Sequence, residues 1–203
     1  MLTRWDAWYS DENLRLDQRI LAAAPSRCAE IAAGEFLRRG KKRVLDLACG
    51  VGRDSFHLEK RGLSVVGADA SLNGIRAACK TKIALEAALQ FMPADARYLP
   101  FKDGSFEGIY CFGLLHEFTD ERRQADVEKV IAEAGRVLSD QGVFILTVLA
   151  GNPEAGLPAV QLFNRRMFEQ TLKGWKPIEL NLYNDTGCTN RADYSVWYGS
   201  FKK

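Results

Sequence analysis

A buried strand that ends in a glycine turn is the feature of this sequence that most constrains its fold. Residues 44–47 are apolar except for one carboxylate, Asp46, and the turn that follows contains Gly50 and Gly52. A strand–turn–helix unit of this kind brings bare backbone N–H groups close to a ligand. In a phosphate-binding turn, a neighbouring negative charge would repel the phosphate group. Asp46 therefore favours a cationic small molecule as the ligand.

Strand-like and helix-like segments alternate after this turn. The predicted strands are residues 43–47, 64–68, 89–92, 106–112 and 143–149, and the predicted helices between them are residues 52–61, 72–88 and 121–138. The last helix has the clearest pattern, because its apolar positions follow helical spacing and its charges lie on the opposite face. Residues 139–142 are predicted as a turn. The strand that follows is almost wholly apolar, which is typical of the centre of a parallel sheet.

The pattern changes after residue 150. The sequence predicts a loop, then a helix over residues 160–172, and finally two strands over 177–183 and 192–201. The link between these strands is short, whereas a parallel crossover needs about a dozen residues or more, so the two strands must be antiparallel. The predicted fold is therefore α/β, a Rossmann-like doubly wound sheet of seven strands, mostly parallel, with an antiparallel C-terminal hairpin.

The length of the chain suits one α/β domain with a well-buried core. We expect one domain over residues 1–203, in three parts. An N-terminal arm with helices covers residues 1–40, the ligand-binding core covers 41–150, and the late helix with the terminal hairpin covers 151–203.

Composition excludes several classes of protein. The net charge is only +2, from 28 basic and 26 acidic residues, so no nucleic-acid partner is expected. The N-terminus lacks the apolar region of a signal peptide, and no apolar run is long enough to cross a membrane. The five cysteines show no C-x-x-C spacing, which favours reduced thiols in a cytoplasmic protein over a disulfide framework or a metal site. The sequence does not indicate the oligomeric state.

Two further carboxylates follow the second and third predicted strands. Asp69 comes 17 residues after Gly52, where a carboxylate can accept hydrogen bonds from both hydroxyls of a ribose. Asp95 can accept a hydrogen bond from the exocyclic amine of adenine. The alternatives are a helix cap for Asp69 and a stabilised turn before Arg97 for Asp95. Since parallel strands place these groups and Asp46 at one edge of the sheet, the ligand is expected to be an adenosine compound with positive charge and no phosphates.

Here the chain resembles the class I S-adenosylmethionine-dependent methyltransferases. The segments that carry the resemblance are residues 46–52, Asp69, residues 95–96, residues 106–110 and residues 136–142, in the family's order and spacing. The resemblance implies S-adenosylmethionine as the cofactor. It also implies that Asp46 holds the amino group of the cofactor, that Asp69 holds the ribose and that Asp95 holds the adenine. The remaining residues of the expected cofactor site are Ala48, Gly50, Gly52, Ala70, Ala96, Cys111 and Phe112.

His116 follows the fourth strand and is the candidate catalytic residue. A neutral imidazole there can act as a general base toward an O–H or N–H acceptor. The alternative is a structural histidine, since histidine is frequent at this position in the family without an established catalytic role.

Two groups of aromatic residues have both a structural and a functional interpretation. Trp5, Trp8 and Tyr9 form an N-terminal arm that either anchors the sheet edge or covers the ligand. Phe163 and its neighbours on the late helix, Met167 and Phe168, either line an acceptor pocket or belong to the core.

The predicted function is therefore methyl transfer from S-adenosylmethionine to a small-molecule acceptor by in-line displacement. Two other classes stay open at this stage. One is a nucleotide-dependent oxidoreductase, against which Asp46 and the terminal hairpin argue. The other is a catalytically silent cofactor-binding partner subunit, which the sequence does not exclude.

Overall fold

The structure is a computed structural model that describes residues 6–7, 9, 24–152, 161–185 and 194–203. The predictions for Trp5 and Trp8 concern residues outside these described ranges. The elements are α1 (Arg27–Arg38), β1 (Arg43–Leu47), α2 (Arg53–Lys60), β2 (Ser64–Asp69), α3 (Leu72–Ala84), β3 (Gln90–Pro93), β4 (Phe106–Phe112), α4 (Arg123–Val137), β5 (Leu138–Leu149), α5 (Arg165–Thr171), β6 (Lys176–Asp185) and β7 (Tyr194–Lys202). A single 3₁₀ turn, Leu115–Glu117, follows β4.

The seven strands form one sheet in the order β3-β2-β1-β4-β5-β7-β6. The pairs from β3 to β5 are parallel, while β7 runs antiparallel to both β5 and β6. This arrangement confirms the predicted fold class. The strand order reverses between β1 and β4, and ligands of open α/β sheets bind at the carboxyl ends of the strands beside such a reversal.

Three predicted boundaries are wrong. The helix predicted over residues 72–88 ends at Ala84, and Glu86 just beyond it has a positive φ angle of 51° that cannot continue the helix. The turn predicted over residues 139–142 lies within β5, which pairs from Leu138 onward. Phe106 pairs with Leu138, whereas Gly108 pairs with Val143, so the extra residues form a bulge in the strand rather than a separate turn. The late helix begins at Arg165 instead of residue 160, because Phe163 is engaged in a β-bridge with Ala150 and Asn164 caps the helix.

The core lies on both faces of the sheet. On one face α1 packs through Phe36 against Tyr110 of β4 and Ile145 of β5. On the other face α4 packs against β5, and Phe168 of α5 lies against Phe201 of β7; Ile109 and Phe144 belong to the same cluster. Because both faces are covered, residues 108–112 of β4 and residues 143–149 of β5 are nearly all apolar rather than alternating. In the part of the chain that the structure describes, no helix is long and apolar enough to cross a membrane.

Gly108 offers a test of this packing. A Cβ atom there would lie 2.6 Å from the Phe36 ring, which is fully buried. Gly108→Ala should therefore lower the free energy of unfolding by about 1–3 kcal/mol, because the ring has no space to move into. Urea unfolding measures the difference. Gly34→Ala in α1 is the matched control, since its Cβ would meet only the Arg38 side chain at 3.9 Å. That change should be stabilising by about 0.5–1 kcal/mol. Equal stability of the two variants would contradict the packing described here.

Candidate functional site

The turn after β1 has the backbone geometry that close ligand approach requires. Ala48, Gly50 and Gly52 have positive φ angles of 64°, 56° and 84°. The amides of Ala48 and Cys49 donate hydrogen bonds to the carbonyl oxygen of Ala68 at 2.8 and 3.1 Å, which ties the turn to β2. The left-handed conformation at Gly52 starts α2 directly after the turn. The predicted strand–turn–helix unit is therefore present, and it lies at the reversal of strand order.

Asp46 is buried at the end of β1, with 2% of its surface exposed. Its carboxylate accepts a hydrogen bond from the Ser55 hydroxyl, and no lysine or arginine of the described ranges forms an ion pair with it. Burial raises its pKa to about 7. The Ser55 hydrogen bond and the charge of Arg53 oppose this rise, while the nearby charges of Asp54 and Asp69 add to it. A cationic group bound in the turn would supply the charge that this carboxylate lacks.

Asp69 at the end of β2 is hydrogen-bonded to the glycine turn. Its Oδ2 accepts from the Gly50 amide at 2.8 Å and its Oδ1 from the Ser71 amide at 2.8 Å. Burial raises the pKa of this carboxyl group, and the two backbone hydrogen bonds oppose the rise. The cap of α3 is Ser71, whose hydroxyl accepts from the Gly74 amide, so Asp69 is not needed as the helix cap. The structure brings Asp69 and the turn together as predicted, and its ribose-binding role stays a prediction.

Asp95 lies after β3 and forms an ion pair with Arg97. Both carboxylate oxygens accept hydrogen bonds from this guanidinium, which also reaches Asp126 on α4 at 2.8 Å. The hydrogen bonds from Arg97 lower the pKa of Asp95. These contacts support the turn-stabilising alternative, and the adenine-binding role of Asp95 stays a prediction. Ala96 beside it is buried, and Ala70 after β2 is exposed.

The end of β4 lies beside the turn after β1, because the two strands are paired. Cys111 is buried, and the guanidinium of Arg53 lies over the Phe112 ring at 5.8 Å from its centre. Burial raises the pKa values of Cys111 and Cys49 well above that of a free thiol, so both are neutral and poorly nucleophilic. The four cysteines of the described ranges are free thiols.

His116 lies in the 3₁₀ turn after β4 and has protein neighbours at both ring nitrogens. Its Nδ1 accepts a hydrogen bond from the Leu149 amide at 3.4 Å, and its Nε2 lies 3.4 Å from Oε1 of Glu117. Its carbonyl oxygen accepts from the Gln161 amide at 2.7 Å. These contacts hold the segment after β5 against the end of β4. They favour a positioning role, while the general-base role stays a prediction.

The sequence did not reveal a buried polar network beneath the turn. Asp54 accepts hydrogen bonds from the Ser26 amide at 2.9 Å and hydroxyl at 2.7 Å, from the Tyr110 hydroxyl at 3.1 Å and from Nε of Arg53 at 2.9 Å. The network joins the starts of α1 and α2 to β4. An acid in the first turn of a helix was the available signal, but its partners come from distant parts of the chain.

Arg123 is a second residue that sequence patterns did not single out. It is the first residue of α4, and its guanidinium lies 5.6 Å from the centre of the Phe163 ring and 3.9 Å from Sδ of Met167. Burial lowers its pKa, and its Nε has no hydrogen-bond partner in the described part of the chain. Phe163 and Phe168 are fully buried, so both belong to the core.

The comparisons with known proteins agree with this geometry. Residues 45–146 match the family model described as a methyltransferase domain. The chain is 34% identical over 160 residues to demethylmenaquinone methyltransferase of Thermus thermophilus, which covers 77% of this chain and 68% of that enzyme.

The chain belongs to the methyltransferase-domain family.

Other relatives are longer than the matched part. Glycine/sarcosine N-methyltransferase of Parasynechococcus marenigrum is 34% identical over 57% of this chain, and the match spans 42% of that enzyme's length. Several further relatives are likewise matched over less than half of their length. An S-adenosylmethionine-dependent methyltransferase structure from Methanosarcina mazei has a TM-score of 0.68 at 19% identity, covers 79% of this chain and 92% of that protein, and shares the fold.

The protein is thus an S-adenosylmethionine-dependent methyltransferase, as predicted, and not an oxidoreductase. The site residues fit the cofactor. Asp46 is a buried carboxylate suited to an ammonium group, and Gly50 and Gly52 place no side chain on a turn with positive φ angles.

The raised pKa of Asp46 predicts pH-dependent binding of S-adenosylhomocysteine, which carries the same ammonium group as the cofactor. Protonated Asp46 cannot pair with that ammonium, so affinity should fall as the pH drops below about 7. Between about pH 8 and about pH 6 the loss should be about tenfold, because the charged fraction falls by that factor. Calorimetric titration measures it. Asp46→Asn should bind weakly with a flat pH profile, and a flat profile in the unaltered protein would exclude this role.

Asp69→Ala removes the carboxylate assigned to the ribose. We expect a loss of about 1.5–3 kcal/mol in binding, or about 10- to 150-fold in the affinity for S-adenosylhomocysteine, because hydrogen bonds to a charged group are lost. Asp140→Ala is the control, since its side chain is 98% exposed. Circular dichroism confirms that both variants are folded. Wild-type affinity in folded Asp69→Ala would contradict the assignment.

Proposed function

We propose that this methyltransferase transfers a methyl group from S-adenosylmethionine to a small-molecule acceptor by in-line displacement. The observation that carries the proposal is the buried Asp46 carboxylate, which has no ion-pair partner in the described ranges and lies beside a turn with three positive φ angles. A cationic cofactor would supply the missing charge, and the glycines of the turn allow a ligand to approach the backbone closely.

The cofactor contacts follow from the positions of the site residues. The turn at Ala48, Gly50 and Gly52 would contact the amino-acid end, with Asp46 pairing with its ammonium group. Asp69, beside the exposed Ala70, would accept the ribose hydroxyls. Residues further along the edge of the sheet would border the adenine and the methyl group; these are Asp95, Ala96, Cys111 and Phe112.

Methyl transfer depends more on the position of the acceptor than on proton transfer. When bound, the cofactor supplies a methyl group attached to a positively charged sulfur, and this sulfur leaves as a neutral thioether when the acceptor lone pair takes the methyl group. The chain therefore has to hold the acceptor in line and exclude water. His116 contributes by fixing the ends of β4 and β5 through its bonds to Leu149 and Gln161.

Two observations support a small acceptor. The relatives named above act, by their names, on demethylmenaquinone and on glycine or sarcosine. The nearly balanced charge of the chain does not favour a nucleic acid. We also propose that residues 1–203 act as one domain, which the single seven-stranded sheet supports, and that the protein is cytoplasmic, which the free thiols support.

An acceptor panel tests the proposed function. Purified protein is incubated with methyl-labelled cofactor and with quinols, small amines and amino acids, phosphorylated amino alcohols, thiols and, as a macromolecular control, total RNA. Label transfer to a small molecule with release of S-adenosylhomocysteine supports the proposal. Transfer only to RNA, or tight cofactor binding without transfer to any acceptor, would contradict it. A chiral methyl group should appear inverted in the product, and retention would exclude in-line displacement.

Two substitutions at His116 separate positioning from base catalysis once an acceptor is known. His116→Asn keeps an oxygen that can accept from the Leu149 amide, so turnover should stay within about tenfold of wild type, whereas loss of a general base costs about 10²–10⁴-fold. His116→Ala removes the acceptor and should lower both turnover and stability. Steady-state rates over a pH series provide the comparison. A loss above a hundredfold in both variants would restore the general-base role.

A further inference from the structure

The described part of the N-terminal arm is attached to the start of α3. Oδ1 of Asp6 accepts hydrogen bonds from the Ser71 hydroxyl at 2.9 Å and from the Asn73 amide at 3.3 Å. The Asp6 carbonyl oxygen accepts from Nδ2 of Asn73 at 2.9 Å. Only 4% of the Asp6 surface is exposed. A buried carboxylate with this many partners is a specific anchor, because leaving any of them unsatisfied would be costly.

Tyr9, three residues later, lies on the glycine turn. A Cβ atom on Gly50 would be 2.5 Å from the Tyr9 hydroxyl oxygen, and one on Gly74 would be 3.2 Å from Cδ2 of its ring. The same Cβ on Gly74 would be 3.1 Å from the Gly50 carbonyl oxygen. Both glycines therefore leave the space that the Tyr9 ring uses, and the ring lies against the backbone assigned to the amino-acid end of the cofactor.

The two contacts are linked through the chain. Three residues span at most about 11 Å, so the anchor at Asp6 restricts where Tyr9 can lie. Ser71 connects the anchor to the site, since its hydroxyl donates to Asp6 while its amide donates to Asp69, which in turn accepts from the Gly50 amide. Asp6 is therefore two hydrogen bonds away from Asp69, the residue assigned to the ribose.

We propose that Tyr9 is a cofactor-binding residue that covers the glycine turn, and that Asp6 is the positioning residue that holds it there. The aromatic ring closes the turn against water, which strengthens the charged contacts of the bound amino-acid end. Binding of the cofactor and docking of Asp6 are then coupled, and each strengthens the other by the same factor. The inference rests on the cofactor assignment and not on the identity of the acceptor.

Calorimetric titration with S-adenosylhomocysteine tests both halves of the inference. Tyr9→Ala should weaken binding by about tenfold, as expected for the loss of a packed aromatic contact. Asp6→Asn should weaken it by about three- to tenfold, because hydrogen bonds to a buried charge are lost. The matched controls are Tyr98→Ala and Asp140→Asn, whose side chains are exposed and lie outside the proposed site, and both should bind like the wild type.

A structural role of the arm gives a different result. If Asp6 and Tyr9 only stabilise the fold, their variants lower the melting temperature of the cofactor-free protein but keep wild-type affinity, and this outcome overturns the proposal. Wild-type affinity in either variant alone also overturns it. If Asp6→Asn does not fold, Asn73→Ala replaces it, since it removes the donor to the Asp6 carbonyl oxygen and otherwise only an exposed 3.4 Å contact with Arg76. It should weaken binding by about two- to fivefold.

Hydrogen exchange provides a second measurement of the coupling. The Asn73 amide, which donates to Asp6, should exchange more slowly when S-adenosylhomocysteine is added to the wild type. In Asp6→Asn this protection should be lost, and protection that persists unchanged would overturn the coupling. Failure of the proposed function has a different signature, because S-adenosylhomocysteine would then bind tightly to the wild type although no small molecule is methylated.

Discussion

The hydrogen bond from the Gly50 amide to the Asp69 carboxylate is the contact on which the geometry of the site depends. It joins the turn after β1 to the end of β2, and it does so with a backbone group, so no side chain of the turn is needed. Gly50 has a positive φ angle of 56° at the donor of this bond, a conformation that glycine adopts without strain. The contact holds the glycine turn and the ribose candidate next to each other.

The buried carboxylates Asp54 and Asp46 differ in how far the protein compensates their charge. Asp54 accepts hydrogen bonds from a backbone amide, two hydroxyl groups and a guanidinium, so its charge is compensated within the protein. Asp46, eight residues earlier, has the Ser55 hydroxyl as its hydrogen-bond donor, and its pKa is raised to about 7. A buried group left at such a pKa is typical of functional sites. The first carboxylate stabilises the fold, and the second is suited to a ligand.

The contacts of His116 favour a positional interpretation over a catalytic one, and the general-base role stays a prediction. His116 has protein neighbours at both ring nitrogens and at its carbonyl oxygen, so its side chain and backbone both hold the segments after β4 and β5. Methyl transfer from a sulfonium does not require a strong base, because the leaving group is neutral once displaced. Methyl transfer instead requires fixed distances between the reacting groups, and a buried imidazole with several partners can help to maintain them.

The sequence by itself determined the fold class and, through the resemblance of residues 46–52, Asp69 and residues 95–96 to a known family, indicated the cofactor. The buried strand, the glycine turn and the carboxylate beside it follow local rules and can be recognised within about ten residues of each other. Tertiary structure decided which polar groups meet. Ser26, Asp54 and Tyr110 are distant in sequence, and Asp6 reaches Ser71 across the fold. The bulge at residues 139–142 also depended on long-range pairing. Such contacts arise from the packing of separate elements, and no periodicity in the chain encodes them.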